Sequence, residues 1–555
     1  MKKEILIIFL LILFSLTIIS QPSNTKKTVR SVLQLKTFDE RDNLIGNSIA
    51  FYVDENGSAV SCCQPFLGAY RAVVIDYEGK EYAVDQIIGG SEIYDVVKFQ
   101  VSTKKSTPLV VSTGTVADGS PLWMLSYRDG KNLRKASVRK SEKFASSYDY
   151  YTLAMTMPEH AMGSPMVDER GQVVGLLQPS ANKIDTLCYA VSARFADSLK
   201  IQGLSLNDAT MRSIHIRKAL PEQLDQAVLM LYVGSSSLDS LGYVDLIERF
   251  IHRFPKAHDG YQHRAELAFN RQDFAGVQRD MEEALRQADN KAAVHYSYGR
   301  FIYQKELLYP KVDYPAWSLE KALQEEQEAY KLDAQPIYRY QQALILYVQK
   351  KYQETSDIYE ELFSTTLRSA NLFYEASKCR EALNDTVGQI ALLDSAVNTF
   401  SRPFVQQAAP FLLVRAKTLI DVGDFRKAVL DLNDYESLMK GRLSDGFYYL
   451  RYQAELGGKM YQQALDDIAK AQTMRPEHDI YYSEQASLQL RVGLIDEAMA
   501  TANQLIGMVP DQSDGYLFLG IAQCIKGNKK DGLLNLKKAE QMGDTQATDF
   551  IKKYQ

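Results

Sequence analysis

Histidine is the residue whose placement most restricts the chemistry open to this chain. Of seven histidines in 555 residues, only His160 precedes residue 205, and it stands two residues before Met162. A serine becomes nucleophilic near neutral pH only when a base removes its proton, and a cysteine when a base or cation lowers its pKa. Ser164 follows His160 in the same short segment, so one serine and one imidazole share a loop. Cys62 and Cys63 are adjacent and lead into Gln64, with no base or positive neighbour in sequence to activate either thiol. The five cysteines (Cys62, Cys63, Cys188, Cys379, Cys524) are scattered, with no CxxC pair and no zinc-ligand spacing. Neither a metal site nor a cofactor is therefore expected.

Those residues must be held by elements, and the chain is long enough for at least two domains. Hydrophobic residues at 46% and charged residues at 24% describe an ordinary globular composition. A net charge of −5 gives no electrostatic footprint for nucleic acid, and no basic patch points to a lipid surface. Met1-Lys2-Lys3 followed by the apolar run Ile5 to Ile19 reads as a signal peptide over 1–20, with Ser20-Gln21 as the cleavage point. The run is shorter than the roughly 20 residues a membrane-spanning helix needs, and no cysteine follows it for lipid attachment. Export to a bacterial periplasm or cell envelope is expected; the alternative is an uncleaved anchor.

From 28 to 205 the hydrophobic pattern has a period of two. "SVLQLKTF", "NSIAFYVDENGSAVSC", "YRAVVIDYEGKEYAVDQIIG", "YDVVKFQV" and "SPLWMLSY" read as short antiparallel strands. "DENG" and "DERG" read as hairpin turns. Many short strands without intervening helices predict a barrel or sandwich. "GSAVSCCQPFLGAYRAVVIDYEGKEYAVDQIIGGSEIYDVVKFQV" resembles the first barrel of trypsin-like proteases of the Deg/HtrA type, whose pattern there is Thr-Asn-x-His-Val-Val and later Asp-Leu-Ala. "HAMGSPMVDERGQVVGLLQP" resembles that family's Gly-Asn-Ser-Gly-Gly-Pro-Leu-Val, then a turn, then Gly-x-Val-Val-Gly-Ile. The resemblance covers nearly the whole of this half and implies a trypsin-like double barrel.

Carried over residue by residue, the resemblance puts the catalytic base on Gln64, the orienting aspartate on Asp95 and the nucleophile on Met162. Only the aspartate is kept. Glutamine takes no proton near neutral pH and a thioether has none to give, while aspartate acts only through the imidazole it orients. A degenerate triad with no catalytic residues is the consequence, and Asp95 is expected to be a structural relic hydrogen-bonded near the start of its strand. Two rescues stay open: Ser164 as a nucleophile two residues off register, and Cys63 as a reactive thiol.

From 222 to 555 the chain repeats. Copies starting at Asp445, Asp479 and Ser513 align Tyr448, Tyr482 and Tyr516, and then Ala464, Ala498 and Gly532, with the period of about 34 residues typical of tetratricopeptide units. Pro476 and Pro510 close two copies, and Asp544 stands where a third proline would be. This half resembles the tetratricopeptide family, which implies an all-α superhelical solenoid, here of about nine units with a polar capping helix at its end. The stretch Tyr303 to Trp317 reads as an insertion between the two helices of one unit. The resemblance implies a protein or peptide partner held in the concave groove, with Tyr340, Leu344, Tyr347, Tyr449, Gln453 and Leu456 on that face; the alternative use of these tyrosines is packing between repeats.

Residues 206–221 are expected to be a polar linker between the two domains. The expected function is an exported interaction scaffold that joins an inactive protease-like barrel to a partner-gripping solenoid. Two readings compete with it: an active endopeptidase with an unconventional site, and a holdase that retains unfolded chains without cutting them.

Overall fold

The computed structural model describes residue 22 and residues 25–144, 148–180 and 186–555. The signal peptide expected over 1–20 lies outside the described residues, among which no helix is long and apolar enough to cross a membrane. The chain divides into two compact units, 1–294 and 295–555.

Among the described residues of the first unit, the alternating segments form twelve strands in two closed antiparallel barrels. The first barrel contains β1 (Val32–Phe38), β2 (Leu44–Tyr52), β3 (Ser58–Ser61), β4 (Arg71–Ile75), β5 (Glu81–Ser91) and β6 (Val96–Val101). Its order is β1-β2-β3-β6-β5-β4, closed by pairing of β1 with β4. The second contains β7 (Pro121–Ser126), β8 (Asp129–Phe144), β9 (Tyr148–Ala154), β10 (Pro165–Val167), β11 (Val173–Gln178) and β12 (Leu187–Ser192). It repeats the same connectivity and closes between β7 and β10. The two expected hairpin turns are built alike: Asp54 Oδ1 accepts from the amides of Asn56 and Ser58, and Asp168 Oδ1 from those of Arg170 and Gln172. Each is an Asx turn in which the side chain substitutes for a backbone acceptor.

The barrels share a core as well as having their own. Leu122, Met124, Tyr151, Leu153 and Val174 fill the second barrel. Val32, Ile49, Phe51 and Val60 from the first barrel pack with Trp123, Leu125, Val173 and Leu176 from the second. Strand β11 is buried along its whole length because its side chains divide between these two cores. That explains why "VVGLLQ" is a continuous apolar run rather than an alternating one.

The segment expected to be a polar linker is part of this unit. Ile87 N–H donates to the carbonyl of Arg217 (2.9 Å) and Ala219 N–H to that of Ile87 (2.8 Å), so the segment runs parallel to β5. Gly68 N–H bonds the Ser213 carbonyl and His215 N–H the Ala69 carbonyl. Met211, Ile214, Ile216 and Leu220 are buried in the same cluster as Leu33, Leu35, Val74 and Phe99 of the first barrel. That cluster continues into Met230 and Leu231 of Leu224–Ser237 and into Leu246 and Phe250 of Ser240–Arg253. Even Lys218 is buried, its ammonium donating to the carbonyls of Ile214 and Ile216. The linker reading failed because the apolar residues are spaced among charged ones that face outward or are capped by backbone carbonyls.

The same unit holds the helices α1 (Thr25–Thr28), α2 (Ala209–Ser213), α3 (Leu224–Ser237), α4 (Ser240–Arg253), α5 (His258–Asn270) and α6 (Phe274–Gln287). The second unit is helical throughout. Helix α7 (Lys291–Leu308) contains the division at 294/295 and runs through the first part of the stretch expected to be an irregular insertion. It is followed by α8 (Leu319–Leu332), α9 (Pro336–Val348), α10 (Tyr352–Leu362), α11 (Ala370–Ala382), α12 (Thr386–Val397), α13 (Ala409–Asp421) and α14 (Phe425–Leu438). Then come α15 (Asp445–Gly457), α16 (Tyr461–Met474), α17 (Asp479–Val492), α18 (Ile495–Met508), α19 (Asp514–Ile525), α20 (Lys529–Gln541) and α21 (Thr545–Tyr554). Tyr461, Ile495 and Lys529 open α16, α18 and α20, every other helix, 34 residues apart. Ala464, Ala486 and Ala498 are fully buried, as small residues between closely approaching helices must be. Both α16 and α18 stop just before their proline. Asp544, in place of the third proline, caps α21 by accepting from the amides of Gln546 and Ala547.

A fragment ending at residue 205 would leave the first-barrel core open where Ile214, Ile216 and Leu220 sit, at about 1.5–3 kcal/mol for each side chain. Such a fragment is expected to bind a hydrophobic dye and to lose cooperative melting, whereas a fragment ending at Asp289 retains both barrels with native-like melting. Circular dichroism and dye fluorescence on the two fragments check this.

Candidate functional site

The residues singled out by the sequence meet where the two barrels join. Gln64 opens a single 3-10 turn, Gln64–Phe66, immediately after β3 and Cys62-Cys63. Asp95 lies just before β6, in the left-handed region at φ 49°, where aspartate is among the few residues readily accommodated. Its Oδ1 accepts from the backbone N–H of Gln64 at 2.8 Å, and the amide of Cys63 and thiol of Cys62 also point to the carboxylate. Burial raises the pKa of Asp95, and these three donors oppose the rise. The carboxylate therefore serves the main chain. The Gln64 side chain is exposed, and what Asp95 holds is that residue's backbone.

Met162 sits on the other side of the seam. Its carbonyl accepts from the Ile49 amide of β2 at 2.8 Å, and its side chain packs on the inter-barrel cluster that includes Ile49 and Cys62. Gly163 comes next at φ 82°, where a Cβ would collide with the Ile49 carbonyl oxygen and come to 3.0 Å from Ser61 Oγ. Ser61 Oγ in turn donates to that same carbonyl at 2.7 Å. Gln178 Nε2, from β11, donates to the Tyr94 carbonyl at 2.7 Å and so ties the Asp95 turn to the second barrel. Cys62, Gly163 and Gln178 thus complete the seam. In the sequence Cys62 stood out only as a thiol, Gly163 only as the neighbour of Met162, and Gln178 carried no signal of its own.

Ser164 is buried at the head of β10's turn, its N–H bonded to the Ala161 carbonyl and its own carbonyl accepting from Leu177. It shares with His160 the wall of a cavity of about 280 Å³, along with Asn47, Ile49, Met124 and Arg134. His160 is exposed and left-handed at φ 58°. Among the described residues no hydrogen bond links its ring to Ser164. The thiols are not poised for attack either: burial, reinforced by Asp95, pushes Cys63 up to about 12 and raises Cys62 well above the ordinary thiol range. Ionised thiolate is the reactive form, and both sites suppress it.

The second unit scatters the expected groove residues among packing contacts. Tyr340 is half-buried against Tyr359 and Tyr347 against Tyr352, with ring centroids 6.2 and 5.3 Å apart. Tyr449 stacks on Tyr452 and meets Tyr481, and Leu456 packs in the same cluster. Leu344 is half-buried, while Gln453 is exposed beside Tyr449. A more open apolar groove of about 630 Å³ lies elsewhere, lined by Tyr374, Phe400, Phe411 and Val414. Nothing in repeat register marked it, because Phe400 lies in the connection after α12.

Buried charge is the other feature of the helices. Arg264 in α5 pairs with Asp280 in α6, Arg415 in α13 with Asp431 in α14, and Arg451 in α15 with Asp467 in α16. In each pair the arginine is the seventh residue of its helix and the aspartate lies 16 residues on. Each arginine also reaches a carboxylate on an earlier helix: Glu248, Asp394 and Glu436 respectively. A guanidinium suits this because its planar fork serves several oxygens at once. Glu326 has no such partner: it is fully buried, and among the described residues neither carboxylate oxygen is hydrogen-bonded. Burial pushes it up to about 10.

No protein-family profile and no curated protein matches the chain. Among solved structures, the crystal structure of Rv3671c protease from M. tuberculosis in its active form is 16% identical. It has a TM-score of 0.28 over 32% of this chain and 86% of that one. An inactive form of the same protease gives 16% identity and a TM-score of 0.26, over 32% and 95% of the two chains. A serine-to-alanine mutant gives 17% and 0.27, over 32% and 93%. At these scores the likeness decides nothing further; the double barrel stands on its own strand pairing.

Replacing Asp95 with Asn puts an amide donor where three donors converge, so Asp95→Asn is expected to destabilise the first unit by about 1–3 kcal/mol, read as a shift in its denaturant midpoint. For Glu326 the folded pKa lies above the unfolded one, so the folded state binds the extra proton and stability falls as pH rises from about 4.5 towards about 10. Glu326→Gln removes that dependence. Its gain in melting temperature over the parent should be larger at pH 8 than at pH 4.

Proposed function

We propose that this chain is an exported interaction scaffold whose trypsin-like barrel pair does not catalyse peptide hydrolysis. One observation carries the reading: the single retained acid of the triad, Asp95, is occupied by the amides of Gln64 and Cys63 and the thiol of Cys62. With a glutamine at the base position and a thioether at the nucleophile position, there is no proton for the aspartate to help move. The barrels then serve as a docking body. The helices from residue 222 onward, read as tetratricopeptide units, hold a protein or peptide partner. The short positive start and apolar run at the N-terminus support a location in the bacterial envelope or periplasm under this reading.

The competing reading, an endopeptidase with an unconventional site, draws on the cavity that His160 and Ser164 both line. A serine-directed fluorophosphonate separates the two. The purified protein is expected to remain unlabelled and to leave casein uncut. Labelling that disappears in Ser164→Ala would replace the scaffold reading with the protease one.

A further inference from the structure

Glu455 is a buried carboxylate with an unmet requirement. It lies on α15, 3% exposed, and lines a pocket of about 540 Å³ between α14 and α16. Among the described residues its Oε2 has no hydrogen-bond partner, and its Oε1 stands 3.7 Å from Arg451 Nε, too far for a hydrogen bond. That guanidinium is already engaged: Nε donates to Asp467 Oδ2 at 2.6 Å, and the two terminal nitrogens serve Asp467 Oδ1, Glu436 and Asn433. Lys470 is drawn to Asp467 at 3.2 Å.

The charges facing the pocket are Glu436 and Arg426 from α14, Arg451 and Glu455 from α15, and Asp466, Asp467 and Lys470 from α16. Once Arg451 and Lys470 are matched to Asp467 and Glu436, Glu455 and Asp466 remain, with Arg426 on the wall formed by α14. The pocket also offers apolar surface in Val429, Leu430 and Met460, of which Leu430 is 63% exposed. A buried carboxyl with an unmet oxygen below an apolar wall matches a side chain with an aliphatic stem and a cationic head.

We propose that this pocket receives a lysine or arginine side chain of a protein partner, whose cation supplies the missing partner of Glu455 while its methylenes lie on Val429, Leu430 and Met460. The proposal rests on the reading of the helical unit as a partner-binding surface. Burial first, and then Asp467, push the Glu455 carboxyl up to about 8. An empty pocket near neutral pH therefore holds a largely neutral acid, and entry of a cation ionises it and releases a proton to solvent. Affinity for a permanently charged guanidinium should accordingly rise with pH from about 6 to 9.

Titration calorimetry on the full chain with N-acetyl-arginine amide, and with the neutral isostere N-acetyl-citrulline amide, tests this. Arginine amide is expected to bind at least about tenfold more tightly than the citrulline compound, with net proton release measured across buffers of different ionisation enthalpy. Glu455→Gln should weaken it by about tenfold and abolish the proton release, and the exposed Asp466→Asn by a few-fold without affecting folding. Equal binding of the two compounds, or undiminished arginine binding by Glu455→Gln, would overturn the proposal. Fluorophosphonate labelling would instead defeat the scaffold reading and leave an observed arginine site standing, so the two failures are distinguishable.

Discussion

The seam between the barrels depends on the approach of one backbone to another at Gly163. The Ile49 amide bonds the Met162 carbonyl, the Ile49 carbonyl takes the Ser61 hydroxyl, and no side chain fits at residue 163. Buried backbone groups must find partners, and here Ile49 of β2 finds its partner in the loop at Met162. The loop's position is thus set by main-chain bonding, and it survives whatever side chain stands at Met162. The same holds across the cleft, where Asp95 binds the amide of Gln64 rather than its side chain. At both places the geometry is held by backbone groups and does not depend on the side chains of Gln64 and Met162.

Burial also links the first barrel to the helices after it. Residues 211–220 lie along β5 and share the cluster that includes Phe99 on one side and Phe250 on the other. Helices α2, α3 and α4 therefore share one buried cluster with the strands of the first barrel. Partner binding on α3 or α4 could not be separated from barrel stability, because both draw on one hydrophobic cluster.

In the helices, the cost of burying charge is met by repetition. Each Arg–Asp pair joins two helices, and a second carboxylate on the same arginine comes from an earlier helix, so each ion network links three helices. Breaking one partner of such a buried set is costly because the remaining charge stays desolvated. Glu326 and Glu455 depart from this scheme, and each responds by holding a proton. They differ in setting: Glu326 is enclosed among helices, whereas Glu455 faces a pocket that an incoming cation can enter.

Much of this was legible in the residues. Period-two alternation marked the strands, "DENG" and "DERG" marked two turns, and the 34-residue recurrence of tyrosine and alanine marked the helix starts. The identities at Gln64, Asp95 and Met162 were equally plain, since hydrophobic period and turn chemistry are local properties of the chain. Other features depended on distance in space. The role of 206–221 was hidden because its apolar residues are too few to show a period and find their partners in β5, over a hundred residues earlier. The occupation of Asp95 was hidden because its donors are main-chain groups that every residue carries. The solvent-facing or packed state of Tyr340, Tyr347 and Tyr449 was undecidable because an aromatic at such a position serves either use, and only neighbouring helices settle which. Local pattern determined what each element is; which buried charges have partners was decided by packing, since pairing requires a second residue brought within about 3 Å by the fold.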